Sequence, residues 1–160
     1  VLFNEESDII KHGNTYSGAV PVKYGEDPES TGDGSQIDWI VYRYADVLTL
    51  LSEAIVRQGN SVTQEAVDLL NQIRVRAKLS PYTMGDIKGV DDFLDKMLQE
   101  RGHEFWWEGN RRADLIRHGK FIQNAIDRRS TTTKPEFVLF PLPQAVINEG
   151  KGIIIQNPGY

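Results

Sequence analysis

From residue 39 onward, apolar side chains recur at the spacing of an amphipathic helix. Ile40, Tyr44, Val47, Leu48, Leu51 and Ile55 follow one another at intervals of 4, 3, 1, 3 and 4, which lines one face of a 3.6-residue repeat. Gly59–Asn60 stops that helix. Ser61 and Gln64 then suit a capping box for a second helix, whose face is Ala66, Leu69, Leu70, Ile73 and Ala77 and whose end is Ser80–Pro81. A third helix is predicted from Val90 or Asp91 to Trp107, with Asp91–Asp92 near its positive end. Gly109 breaks it, Arg111–His118 continues, Gly119 interrupts again, and Phe121–Arg129 is a last short helix. Glu136–Phe140 reads as a short strand, stopped by Pro141 and Pro143, and the tail to Tyr160 reads as a packed strap that covers Ile153–Ile155.

The N-terminal quarter lacks this periodicity. His12–Gly18 and Gly25–Gly34 are rich in turn-forming residues. Between them, Ala19–Tyr24 suits an edge strand, since Pro21 cannot donate to a central ladder. The predicted organisation is therefore an irregular segment, 1–37, and a helical domain, 38–160. The fold class is mainly α: antiparallel helix pairs of tetratricopeptide type, with short β or irregular segments at both ends. Two such pairs are fewer than the three or so repeats that a solenoid needs to bury its faces, so the stretch is expected to be part of a larger helical scaffold.

The run from Glu100 to Lys120 departs from a simple two-faced helix. Phe93, Leu94, Met97, Leu98 and Phe105 fall in one sector, and Arg101, Glu104 and Glu108 project into the middle of it. Charge on an apolar face is costly unless paired. An internal network is therefore expected, with Arg101 and Arg111 or Arg112 as cations, because the planar guanidinium can hold a carboxylate bidentately. Arg43, Asp46 and Glu53 on the first helix, with Arg74 and Arg76 on the second, suggest a similar lattice between helices. Arg111, Asp114 and Arg117 suit an i, i+3 ladder.

Composition narrows the chemistry. The net charge of −5 and the dispersed basic residues leave no stripe for nucleic acid. The absence of cysteine removes disulfides, thiolate catalysis and cysteine-ligated metals. His103–Glu104 begins an HExxH pattern, but residue 107 is Trp, so the second zinc ligand is missing. The acidic loop 25–38 does not match a calcium-binding EF-hand. Glu100, Glu104 and Glu108 could form a glycosidase pair only if they opened on a cleft. Neighbouring arginines would lower their pKa values, which disfavours a general acid. No metal, cofactor or catalytic residue is assigned. Among the large aromatics, Trp106 and Trp107 read as packing residues. Trp39 and Tyr42, at a loop-to-helix junction, are the candidates for stacking on a ligand.

The pattern ER-x-x-EF-x-x-EG-x-R-x-x-DLIR-x-G (Glu100–Gly119), the pair RYADVLTLLSEAI (Arg43–Ile55) and AVDLLNQIRVRAKL (Ala66–Leu79), and the closing LFPLPQAVI (Leu139–Ile147) with QNPGY resemble, in order and spacing, the C-terminal region of the SusD/RagB family. The resemblance covers roughly residues 20–160. It departs at His118, where the family often has Trp, and at Trp106–Trp107, which are bulkier than usual. It implies a non-catalytic lipoprotein of the bacterial outer-membrane surface that captures glycans, or in some branches peptides, for a SusC-like TonB-dependent transporter. It also implies that a lipid anchor and an N-terminal part lie outside this sequence. Arg43, Asp46, Glu100, Arg101, Glu104, Glu108, Arg111, Asp114 and Arg117 carry over as structural positions. Two rivals remain at this point: a generic helical-repeat module that binds a peptide or protein, and a glycan hydrolase or its appended domain.

Overall fold

The computed structural model describes residues 2–3, 20–21, 23–25, 27–31, 34 and 36–160. The turn-rich stretch His12–Gly18 lies outside the described residues. Two compact units, Val1–Asp46 and Val47–Tyr160, divide the chain. In the first, strands β1 (Leu2–Phe3) and β2 (Val20–Pro21) pair antiparallel, Leu2 opposite Pro21 and Phe3 opposite Val20. Asp27 ties the following loop, its carboxylate accepting from the backbone N–H of Glu29 (3.0 Å) and of Gln36 (2.7 Å).

Six α-helices occur among the described residues: α1 (Tyr44–Gly59), α2 (Gln64–Arg76), α3 (Val90–Glu104), α4 (Arg111–Arg117), α5 (Phe121–Asp127) and α6 (Gln144–Glu149). The mainly α fold is as the periodicity predicts, but several boundaries move. Helix α1 starts at Tyr44 rather than Trp39, because Asp46 reaches back to the Arg43 backbone N–H (3.3 Å) and satisfies it in the manner of a capping box. The cap of α2 is Thr63, whose hydroxyl accepts from Ala66 N–H at 3.2 Å, so Ser61 is not the cap. Beyond α2, Lys78 takes a left-handed φ of 60°. Leu79 N–H then reaches Arg74 O and Lys78 N–H reaches Val75 O, a Schellman closure before Pro81 is met.

Helix α3 stops at Glu104, three residues short of Trp107. The segment Glu136–Phe140 is not a strand: Pro135–Val138 winds into a 3₁₀ turn, for which the proline supplies the φ. Helix α6, unrecognised in the sequence, follows Pro143. Downstream of it the tail is tied by Gln156 to Leu142 and by Tyr160 Oη donating to Leu139 O at 2.9 Å. It does not cover Ile153 and Ile155, which stay exposed.

The core of the second unit joins Val56 of α1, Ala66, Val67 and Leu70 of α2, and Phe93, Leu94 and Met97 of α3. The face of α1 that is buried is not the one that its aliphatic spacing marks. Leu48, Thr49, Ser52, Glu53 and Val56 are buried, whereas Val47 (57% exposed) and Leu51 are not. Small residues let α2 approach closely, and Ser52 Oγ donates to Ala66 O at 2.6 Å.

Candidate functional site

Two features stand out along α3 and the turn after it: a buried lattice of charge and an exposed pair of tryptophans. The lattice begins with Arg101, which is 3% exposed. Its Nε donates to Asp114 Oδ2 at 2.8 Å, its Nη1 donates to Thr49 Oγ1, and its guanidinium lies over Phe105, 4.5 Å from the ring centre. Asp114 also accepts from Arg117 (3.1 Å), and Arg117 continues to Glu53. Glu53 draws together Arg57 (2.6 Å), Arg117 and the His118 imidazole, whose Nε2 stands 3.3 Å away. Burial pushes the Glu53 carboxyl up, but His118, Arg117 and Arg57 outweigh it and hold the group well below the usual carboxylate range.

On the other side of α3, Arg74 pairs with Glu100 and stacks 3.8 Å from the Tyr82 ring centre, while Tyr82 Oη donates to Glu100 at 3.1 Å. Burial and then the Glu100 charge push the Tyr82 phenol up. Arg76 pairs with Glu104. Asp46 and Glu108 are likewise buried. The three α3-region carboxylates Glu100, Glu104 and Glu108 are all interior, where a pyranose cannot reach them. Arg111 turns its Nη1 to the backbone carbonyl of Leu98 at 2.7 Å and packs its guanidinium on Gly102, with the Asp114 charge nearby. Arg112 likewise serves carbonyls, those of Phe137 and Val138, and lies over Phe140. Thr49 and Tyr82 join the lattice without having been singled out, and His118, marked only as a departure from the family pattern, joins it at Glu53. Thr49 carried a signal, a small polar residue amid the aliphatic run of α1.

The aromatics divide in an unexpected way. Trp39 is 59% exposed and stacks on Tyr24 at 5.1 Å between centroids, with 17° between planes; Tyr42 is still more open. Trp106 and Trp107 do not pack inside. They are 45% and 58% exposed, and their rings lie 5.6 Å apart at 44°. Trp107 adopts φ 68°, a left-handed conformation that is a genuine outlier for a bulky side chain. A cavity of about 400 Å³ opens beside them, lined also by Gln99, His103, Arg111 and Arg128. A second, of about 390 Å³, lies between Leu98, Leu115 and α5. Among the described residues no group of three His, Asp or Glu side chains converges as metal ligands, and no helix is long and apolar enough to cross a membrane.

The sequence matches the SusD family over residues 4–160. It is 27% identical to the starch-binding protein SusD of Bacteroides thetaiotaomicron over 99% of this chain, which spans 27% of that protein's length. A SusD superfamily protein from Parabacteroides distasonis superposes with a TM-score of 0.67 at 27% identity, over 79% of this chain and 28% of that one. The surface glycan-binding protein A of Bacteroides thetaiotaomicron, in its complex with laminarihexaose, gives 0.56 at 31% identity, over 74% of this chain and 24% of that one. The chain belongs to the SusD family.

Proposed function

We propose that this member of the SusD family serves glycan capture at the bacterial outer-membrane surface, passing its ligand unaltered to a SusC-like TonB-dependent transporter. The observation that carries the reading is the match to a starch-binding protein along nearly the whole chain. In this reading residues 1–37 are a loop-rich segment and 38–160 the C-terminal helical domain of a longer, lipid-anchored protein. The exposed Val47 and Leu51 of α1 support that division, since helical layers of this type bury such positions against further helices. No residue is catalytic. Sugars would be held by stacking and hydrogen bonds, because a pyranose offers an apolar C–H face and a polar edge. Trp39 and Tyr42 are the proposed ligand residues of the first unit, with the Trp39 indole steadied by Tyr24.

The same exposed α1 positions favour a second reading, a helical module that binds a peptide, which predicts no affinity for sugars. Calorimetric titration with starch oligosaccharides and laminarihexaose, beside a peptide panel, separates the two. Glycan binding without product release, weakened by Trp39→Ala, supports capture. Peptide binding alone refutes it.

A further inference from the structure

We infer that the cavity beside Trp106 and Trp107 is a subsite for an acidic pyranose, one that carries a carboxylate or a sulfate ester. The inference rests on the glycan-capture reading and adds a place and a charge to it.

The first observation is the backbone. Trp107 sits at φ 68° two residues before Gly109 at φ 84°. Glycine would adopt the first conformation freely, whereas a bulky side chain is strained there. A strained residue persists where the surrounding structure over-determines it, and such residues concentrate at binding sites. Here the strain holds an indole outward, 58% exposed, against a second open indole. Burial therefore does not repay it.

The second observation is charge. His103, Arg111 and Arg128 line the cavity together with Gln99, and among the described lining residues none is acidic. Arg111 is anchored to Leu98 O, which fixes its guanidinium. Burial and then the nearby Arg128 charge push Arg111 below its usual pKa, against a smaller opposing pull from Asp114. The Arg128 charge that disfavours Arg111 in this half-enclosed space is offset by an anion there, beyond the smaller pull of Asp114. The arginine fork matches a carboxylate or a sulfate, and the tilted indoles offer faces for the C–H surface of the ring that bears it. The volume of about 400 Å³ falls in the range of small-ligand sites.

The test uses the 160-residue chain and three hexasaccharide probes: oligogalacturonate, a sulfated carrageenan oligosaccharide, and neutral laminarihexaose. Binding is read by calorimetry at low and high salt. The expected result is tighter binding of at least one acidic probe than of the neutral one, weakened at high salt. Trp107→Gly should raise that Kd at least tenfold without lowering the Tm. Arg128→Gln, at an exposed position, should abolish the preference for charge and keep the fold. Which acidic probe binds distinguishes uronate from sulfate. Acidic binding that Trp107→Gly and Arg128→Gln leave unchanged overturns the subsite, as does a preference for laminarihexaose, and neither touches the capture reading. No binding of any probe overturns the subsite and leaves the capture reading to the titration with starch oligosaccharides.

Discussion

The charged lattice of α3 and α4 and the turn that joins them occupy one stretch of sequence and reverse the usual partition of residues. Arg101, Glu100, Glu104 and Asp114 are interior, while Trp106 and Trp107 stand in solvent. Each charge of the lattice is answered by a partner on another element: Asp114 for Arg101, Arg74 for Glu100, Arg76 for Glu104. Such pairs add little net stability over apolar packing, but a lone survivor is expensive, which disfavours other registers of α1 to α4. The turn keeps Phe105 and Glu108 buried and leaves its two indoles exposed. Buried charge here is answered inside the fold, while part of the apolar surface stays in solvent.

That contrast can be broken at several points. Asp114→Ala removes the carboxylate that Arg101 Nε, almost wholly buried, holds at 2.8 Å, and should cost about 3–5 kcal/mol in chemical denaturation. A loss below 1 kcal/mol would remove the lattice from its role in register. Glu104→Gln should cost less, about 1 kcal/mol, because Arg76, one of its partners, is largely exposed and rehydrates. Trp107→Gly should act in the opposite sense and stabilise by about 1 kcal/mol through relief of the left-handed backbone. A destabilised glycine variant would mean that the indole packs after all. Leu51→Gln, on the open face of α1, should fall within about 0.5 kcal/mol of the parent.

Acid should sharpen the same comparison. Glu53 is held below its ordinary 4.5 in the folded chain. Its contribution is therefore complete above that pH and is lost as the pH falls from 4.5 toward the folded value. The melting temperature should decline across that acid range, and Glu53→Gln should flatten the decline even though it lowers the starting stability. Equal slopes for parent and variant would remove Glu53 as a source of the acid sensitivity.

Spacing along the chain was enough to determine five of the six helices and the mainly α class, because amphipathic helices carry their period in the sequence. It was also enough to mark Arg101, Glu104 and Glu108 as charges within an apolar sector. Local chemistry of two or three residues, such as the Thr63 cap, the reach of Asp46 and the Lys78 turn, set the helix ends, and period alone does not resolve it. Tertiary structure alone decided which face of α1 is covered. Thr49, Ser52 and Glu53 are buried there because small groups admit α2 and because arginines from other elements arrive to pair, whereas Val47 and Leu51 stay exposed. It also decided that Arg111 serves a carbonyl and that the two tryptophans face out. A side chain's partners come from elements distant in sequence, and a helical period records only that a face exists, not what meets it.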